Sequence, residues 1–265
     1  EPGNPEVFDV QPAIPTHGYA GDQATFFVNT FNSSGNRFCL WKLTGDRGSS
    51  PTLVRGGGTV AAYAEPGLAD QPAPGADDLE MFYAGAQNAA YSQRNVFVAL
   101  NDAGTNQAGY FVSQFDVDSL TEERNITYYT GNQFYYYPNV ALVGDSSAPM
   151  VGVAITWSAD DQFASGAYKL YENFLVDISG DFVQTRGGTS TYNVYFDGRN
   201  RWGDYLGSVR DWTCDNLWTV TQYVSGFNAW GTQISGIYGP TTQTGICRLI
   251  FDDGFEIGST ANWPL

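Results

Sequence analysis

Lysine is nearly missing from this chain: of 265 residues only Lys42 and Lys169 carry it, and His17 is the single histidine. A multi-histidine metal centre is therefore impossible within it. Twelve cations face 28 carboxylates, and the formal net charge is −16. Such a balance repels phosphate backbones and anionic lipid, which excludes nucleic acid and membrane surfaces as expected partners. The three cysteines, Cys39, Cys214 and Cys247, form no C-x-x-C pair, so neither a zinc ribbon nor a thioredoxin-like motif is present. No apolar run approaches the roughly twenty residues of a membrane helix. Also missing are a Gly-x-Ser-x-Gly elbow, an Asp-x-Asp-x-Asp-Gly calcium loop and helical periodicity.

Aromatic side chains and turn residues are abundant. Seventeen Tyr, 17 Phe and 7 Trp are interleaved with 31 Gly scattered as punctuation. Aromatics suit half-buried pleated surfaces, and frequent Gly suits tight turns. Strand-like runs fall into four groups. The first pairs Ala24 to Phe31 with Phe38 to Thr44. The second holds Leu79 to Ala84, Asn95 to Leu100 and Tyr110 to Asp116. The third holds Asn139 to Val143, Val151 to Trp157 and Ala167 to Glu172. The fourth holds Asp204 to Val209, Leu217 to Tyr223 and Gly231 to Tyr238. Repetition of one sheet-forming unit, unable to cover its own two faces, predicts an all-β β-propeller of four-stranded antiparallel blades. About four blades are expected in residues 1–248, followed by a tail at 249–265. Four is a small ring, so further blades from another segment or chain are expected partners. The opening Glu1-Pro2-Gly3-Asn4-Pro5 is unlike a signal peptide and suggests a mature terminus or the interior of a precursor.

The acidic excess has two readings. It confers solubility, or it binds Ca²⁺, for which carboxylates are the hard oxygen ligands. Asp160 and Asp161 are the candidate metal residues, against the plainer reading that they are solvated turn residues. Cys214 and Cys247 lie close enough in sequence to clip neighbouring strands, and such a disulfide implies an oxidising compartment. Cys39 is then a buried thiol or a partner for another chain.

The segment Asn200-Arg201-Trp202-Gly203-Asp204-Tyr205 is the most distinctive in the chain, and Trp230-Gly231-Thr232 echoes it. With Leu40-Trp41-Lys42-Leu43-Thr44-Gly45, Pro138-Asn139-Val140-Ala141 and Phe163-Ala164-Ser165-Gly166-Ala167-Tyr168, it resembles a family of secreted bacterial propeller proteins. That resemblance runs from about Phe38 to Tyr238 and implies fold and location more than activity. The tail Asp253-Gly254-Phe255-Glu256 with Trp263 resembles the ends of exported Gram-negative proteins. It implies a secreted or cell-surface location and a natural C-terminus.

Two readings of the 200–205 segment stand side by side. In one, Gly203 allows close backbone approach, and Asp204 caps a turn or pairs with Arg201. In the other, Arg201 forks a ligand's carboxylate or sulfate and Asp204 takes its hydroxyls, with Trp202, Tyr205 and Trp230 beside them. Tyr136, within Tyr135-Tyr136-Tyr137, either packs between blades or faces outward to stack on a sugar or peptide. The expected function is a non-catalytic binding or scaffold protein for a glycan or surface protein. The competing expectation is a sialidase-like hydrolase of acidic glycans, which would need arginines, a tyrosine nucleophile and an acid. Arginines and tyrosines are present, but no Ser-x-Asp-x-Gly-x-Thr-Trp box is.

Overall fold

A computed structural model describes residues 8–15, 24–31, 34–45, 50–72, 76–81, 85–104, 107–143, 150–172, 176–177, 180–203, 205–211 and 216–238. The elements described are all strands. The first blade is Phe8–Pro15 (β1), Ala24–Thr30 (β2), Gly35–Thr44 (β3) and Thr52–Tyr63 (β4). An excursion follows, with short strands Leu68–Ala69 (β5) and Leu79–Glu80 (β6) paired to each other. The second blade is Ala86–Ser92 (β7), Asn95–Gly104 (β8), Gln107–Asp116 (β9) and Thr121–Tyr128 (β10). The third is Gln133–Val143 (β11), Met150–Ala159 (β12) and Gln162–Glu172 (β13), with Val176–Asp177 (β14) and Val183–Arg186 (β15) both on the edge of β13. A small hairpin, Tyr195–Phe196 (β16) and Arg199–Asn200 (β17), precedes the last blade. That blade shows Gly207–Asp211 (β18), Asn216–Gly226 (β19) and Ala229–Tyr238 (β20).

Each blade is an antiparallel meander, and consecutive blades pack face to face, the arrangement of a β-propeller. Phe26, Val28, Phe38 and Leu40 of the first meet Val96, Val98, Phe111 and Phe115 of the second. Phe97, Tyr110 and Val112 on the other face of the second meet Val140, Leu142, Val153 and Ile155 of the third. Ala141, Val143 and Met150 then meet Leu217 and Ile237 of the fourth. Strand β9 is therefore covered on both sides, which is why Tyr110 to Phe115 is buried without a break and not in alternation. Close approach is enforced at Gly152, where a Cβ would stand 2.2 Å from Leu217 Cδ2.

The sequence placed the second group's first strand at Leu79 to Ala84. The structure instead uses Ala86–Ser92, and Leu79–Glu80 belongs to the excursion. The true strand is rich in Ala, Asn and Gln, which have weak β preference and form a strand here because both flanks are paired. Its partners are β8 on one side and, in parallel, β1 on the other, through Ala13↔Ala89, Ile14↔Ala90 and Pro15↔Tyr91.

The first strands of the next blades are joined by side chains. The Asn88 amide reads both backbone groups of Val140, accepting from its N–H at 2.8 Å and donating to its carbonyl at 2.6 Å. Asn88 also donates to Asn139 Oδ1 at 3.2 Å, and Asn139 donates onward to the Leu206 carbonyl at 2.9 Å. An amide carries a donor and an acceptor in one plane, so it can stand in for a missing strand neighbour.

Lys169 is buried between the second and third blades. Its ammonium lies 4.7 Å from the Tyr128 ring centre and 5.5 Å from that of Phe182, and it donates to the Gly180 carbonyl. Ring faces carry negative potential, so they offset part of the lost hydration. Removing this cation and its stem is expected to be costly. Lys169→Ala should lower unfolding free energy by about 2 kcal/mol or more in denaturant titration. Asn88→Ala, which strips both backbone groups of Val140 of their partner, should cost about 2 kcal/mol as well. Thr25→Ala, on an exposed position of β2, is the control that should stay near zero.

Candidate functional site

The excursion between the first two blades crosses to the segment 187–206 and locks onto it. Gln71 is the central clasp: its amide accepts from Tyr192 N–H at 3.0 Å and donates to the Tyr192 carbonyl at 2.9 Å. Asn200 donates to the carbonyls of Asp77 at 3.0 Å and Tyr192 at 2.7 Å. Arg199 pairs with Glu80 at 2.9 Å, and Glu80 forms a parallel bridge with Arg201. Beneath these contacts Ala69, Leu79, Met81, Tyr136, Tyr137, Trp202 and Val224 form one apolar cluster. The excursion thus plugs one end of the blade assembly.

Several residues singled out in the sequence lie inside this plug. Trp202 is 2% exposed and meets Tyr192 edge to face at 5.0 Å between centroids. Tyr136 is fully buried in the same cluster. Neither ring reaches solvent: Tyr136 packs and does not face outward, and Trp202 is not placed to meet a ligand. Gly203 has φ +38°, and a Cβ there would stand 2.2 Å from Gln222 Oε1, so the close approach it permits is to Gln222. Arg201 is half-buried, its backbone held against Glu80. Asp204 lies outside the described residues, as do Cys214 and Cys247. Cys39 is a buried thiol whose pKa is raised, first by desolvation.

Tyr205 and Trp230 are different: they are 59% and 58% exposed. Three further rings that sequence reasoning passed over are also more than half exposed: Tyr195 and Phe196 on the small hairpin and Phe227 on the β19–β20 turn. Two local devices hold them. Asp197 and Gly198 both have positive φ, as a tight two-residue hairpin turn requires, and this turn fixes the hairpin that carries Tyr195 and Phe196. Asn228 then joins the two hairpins, accepting from Asn193 N–H at 2.7 Å and donating its own N–H to the Thr191 carbonyl at 3.2 Å. The Tyr195 hydroxyl donates to the Asp77 carboxylate. The aromatic ledge so defined is this set of exposed rings on two hairpins that Asn228 ties together beside the plug. An Asp-Gly pair flanked by aromatics is the sequence signal that could have found it.

A second feature lies on the plug. Asp70, next to Ala69, lies near Asp160 of the β12–β13 turn and near Asp78, so three carboxyls are gathered there. Two carboxylates at this range cannot both ionise easily. Desolvation first, then the neighbouring carboxyls of Asp160 and Asp78, push the Asp70 carboxyl up to about 6. Asp160 and Asp161 were the candidate metal ligands. Among the described residues, no group of three or more His, Cys, Asp or Glu side chains is placed to hold a metal ion. Asp160 faces another carboxyl instead.

The raised Asp70 carboxyl has a consequence for stability. Asp70 holds a proton more tightly folded than unfolded, so its contribution is full below about pH 4, declines as pH rises towards 6 and is absent above. Thermal melts of wild type and Asp160→Asn across pH 4–8 should therefore diverge. The variant, which removes a neighbouring charge but not the desolvation, should gain stability over wild type above pH 6 and show a shallower decline.

No family model matches this chain, and no curated protein matches it. Among solved structures it is similar to the catalytic domain of a Coprinopsis cinerea GH62 alpha-L-arabinofuranosidase, at a TM-score of 0.36 and 12% identity, covering 89% of this chain and 67% of that one.

Proposed function

We propose that the protein is an exported, non-catalytic binding module that takes an uncharged glycan on the ledge formed by Tyr195, Phe196, Phe227 and Trp230. The observation that carries this reading is the exposure of four large rings on two hairpins tied together through Asn228. Large apolar rings left in water on a fixed backbone lose little entropy on binding and present broad faces to stack against. Their surroundings select the ligand's charge. Asp77 and Asp197 flank the rings within a chain of net charge −16, so an anionic glycan is repelled and a neutral one is not. No helix among the described residues is long and apolar enough to cross a membrane.

The Asp70–Asp160 pair favours one other reading, a glycoside hydrolase. A carboxyl held protonated up to about pH 6 is what a general acid needs. That reading requires turnover of chromogenic glycosides that Asp70→Asn abolishes.

Titration calorimetry against a panel of neutral polysaccharides tests the leading reading. Trp230→Ala and Phe196→Ala should each weaken binding at least about tenfold, the loss expected of an aromatic anchor. Melting temperatures should hold, since both rings are exposed. Equal affinity in wild type and both variants, or binding of a protein partner alone, would reject the glycan ledge.

A further inference from the structure

The interfaces between blades differ in chemistry. The first and second blades meet through Phe, Val and Leu side chains, and the second and third through Phe, Tyr, Val and Ile. Between the third and fourth, apolar contact is confined to one end, where Leu217 and Ile237 meet Ala141, Val143 and Met150. Beyond that end the seam is built of hydroxyls and small residues.

Strand alternation assigns those hydroxyls to the seam. On β12, Val151, Val153 and Ile155 face the second blade, so Gly152, Thr156 and Ser158 face the fourth. Tyr136 is the cross-strand partner of Thr156 and turns the same way, because Tyr135 beside it faces the second blade. On β19, Leu217 lies against Gly152 and Thr221 against Gly166, so Thr219 between them also faces the third blade. Gly166 is in turn the partner of Thr156 on β13. Two facing strands thus present hydroxyls to each other.

Some of these groups satisfy one another. Thr185 and Thr221 share a hydrogen bond at 3.1 Å, and Ser208 on β18 reaches the Asn139 carbonyl at 3.4 Å. Four others do not. The hydroxyls of Tyr136, Thr156, Ser158 and Thr219 have no hydrogen-bond partner among the described residues, and all four side chains are fully buried. The Tyr136 phenol lies near Ser158 without bonding to it. Valine has the shape of threonine without its hydroxyl, and in a dry interface it would be the more stable choice at 156 and 219. Native interiors leave few polar groups unanswered, so four along one seam point to a partner that is not protein.

The geometry limits the size of that partner. A Cβ at Gly152 would stand 2.2 Å from Leu217 Cδ2, and one at Gly166 would stand 2.2 Å from Thr221 Oγ1. Sheets that approach this closely on either side of the hydroxyls exclude a sugar or a polyol. Water is small enough to enter, and it both donates to and accepts from a hydroxyl.

We infer that the seam between the third and fourth blades is a binding site for internal water, held by the hydroxyls of Tyr136, Thr156, Ser158 and Thr219. This water joins the fourth blade to the third where apolar contact ends. The inference is independent of the glycan reading, although the β19–β20 hairpin carries Thr219 as well as Phe227 and Trp230.

Oxygen-17 magnetic relaxation dispersion, which counts long-lived internal waters, tests it on the 265-residue chain. The forms compared are wild type, Thr156→Val with Thr219→Val, Thr156→Ser with Thr219→Ser, and the exposed control Thr25→Val. Wild type, the serine form and the control should give the same count. The valine form should give a lower count and a melting temperature several degrees below wild type. A higher melting temperature in the valine form, the mark of dry hydroxyls replaced by methyls, would overturn the inference. So would a wild-type count of zero, or a count that valine leaves unchanged. A serine count as low as that of valine would trace the loss to packing and overturn it as well. If the valine form does not fold, a crystal of the wild-type chain decides: water density bonded to Thr156 and Thr219 supports the inference, and dry contact overturns it.

Discussion

Asparagine amides hold the inner strands of this protein together. Where β1 and β7 meet, the backbones pair directly, in parallel. From the second blade onward Asn88 grips Val140, and Asn139 grips Leu206. Neighbouring blades converge there, and the twist of each sheet turns its edge away from the next. Backbone groups at that convergence would otherwise be buried without partners, at a cost of about 1–3 kcal/mol each. The face-to-face packing of Phe97, Tyr110 and Val112 against Val140, Leu142 and Val153 depends on this join, because the amides set the register at which the two faces meet.

The plug depends on the same geometry one layer out. Tyr137 has φ +55°, and its N–H donates to Asn101 Oδ1 at 2.6 Å. The ladder between β11 and β12 shifts between Tyr136 and Asn139, and this bulge bends β11 where it enters the plug. Tyr136 and Tyr137 can then form part of the apolar floor on which Ala69, Leu79 and Met81 settle. Gln71 and Asn200 work there as Asn88 does at the inner strands, with side-chain amides answering backbone groups that no strand can reach. One chemical device therefore serves both the scaffold and its cap.

Much of this architecture was legible before coordinates. Four recurring groups of strands, with turns of Gly, Asn and Asp between them, indicated sheets that must hide their faces on one another; most of the named strands coincide with observed ones, although the first group held only β2 and β3 of a four-stranded blade. The misplaced strand, Leu79 to Ala84, is apolar enough to mimic an inner strand, whereas the real one is held by its neighbours and not by its own propensity. At the site, the Arg201-Trp202-Gly203 run stood out through its resemblance to a propeller family, which does not say whether its ring binds or packs, and Trp202 is packed. The Asp70–Asp160 contact joins residues ninety positions apart through the docking of a loop, so no local pattern announces it.

The burial of Lys169 has a practical corollary. With only two lysines in the chain and one enclosed by Tyr128, Tyr171 and Phe182, side-chain amine chemistry on the folded protein has a single address, Lys42. That residue sits on β3, a strand of the first blade, whereas Trp230 and Phe227 belong to the fourth. Coupling through it to a bead, a sensor surface or a dye would fix every molecule at the same point and leave the aromatic rings unmodified.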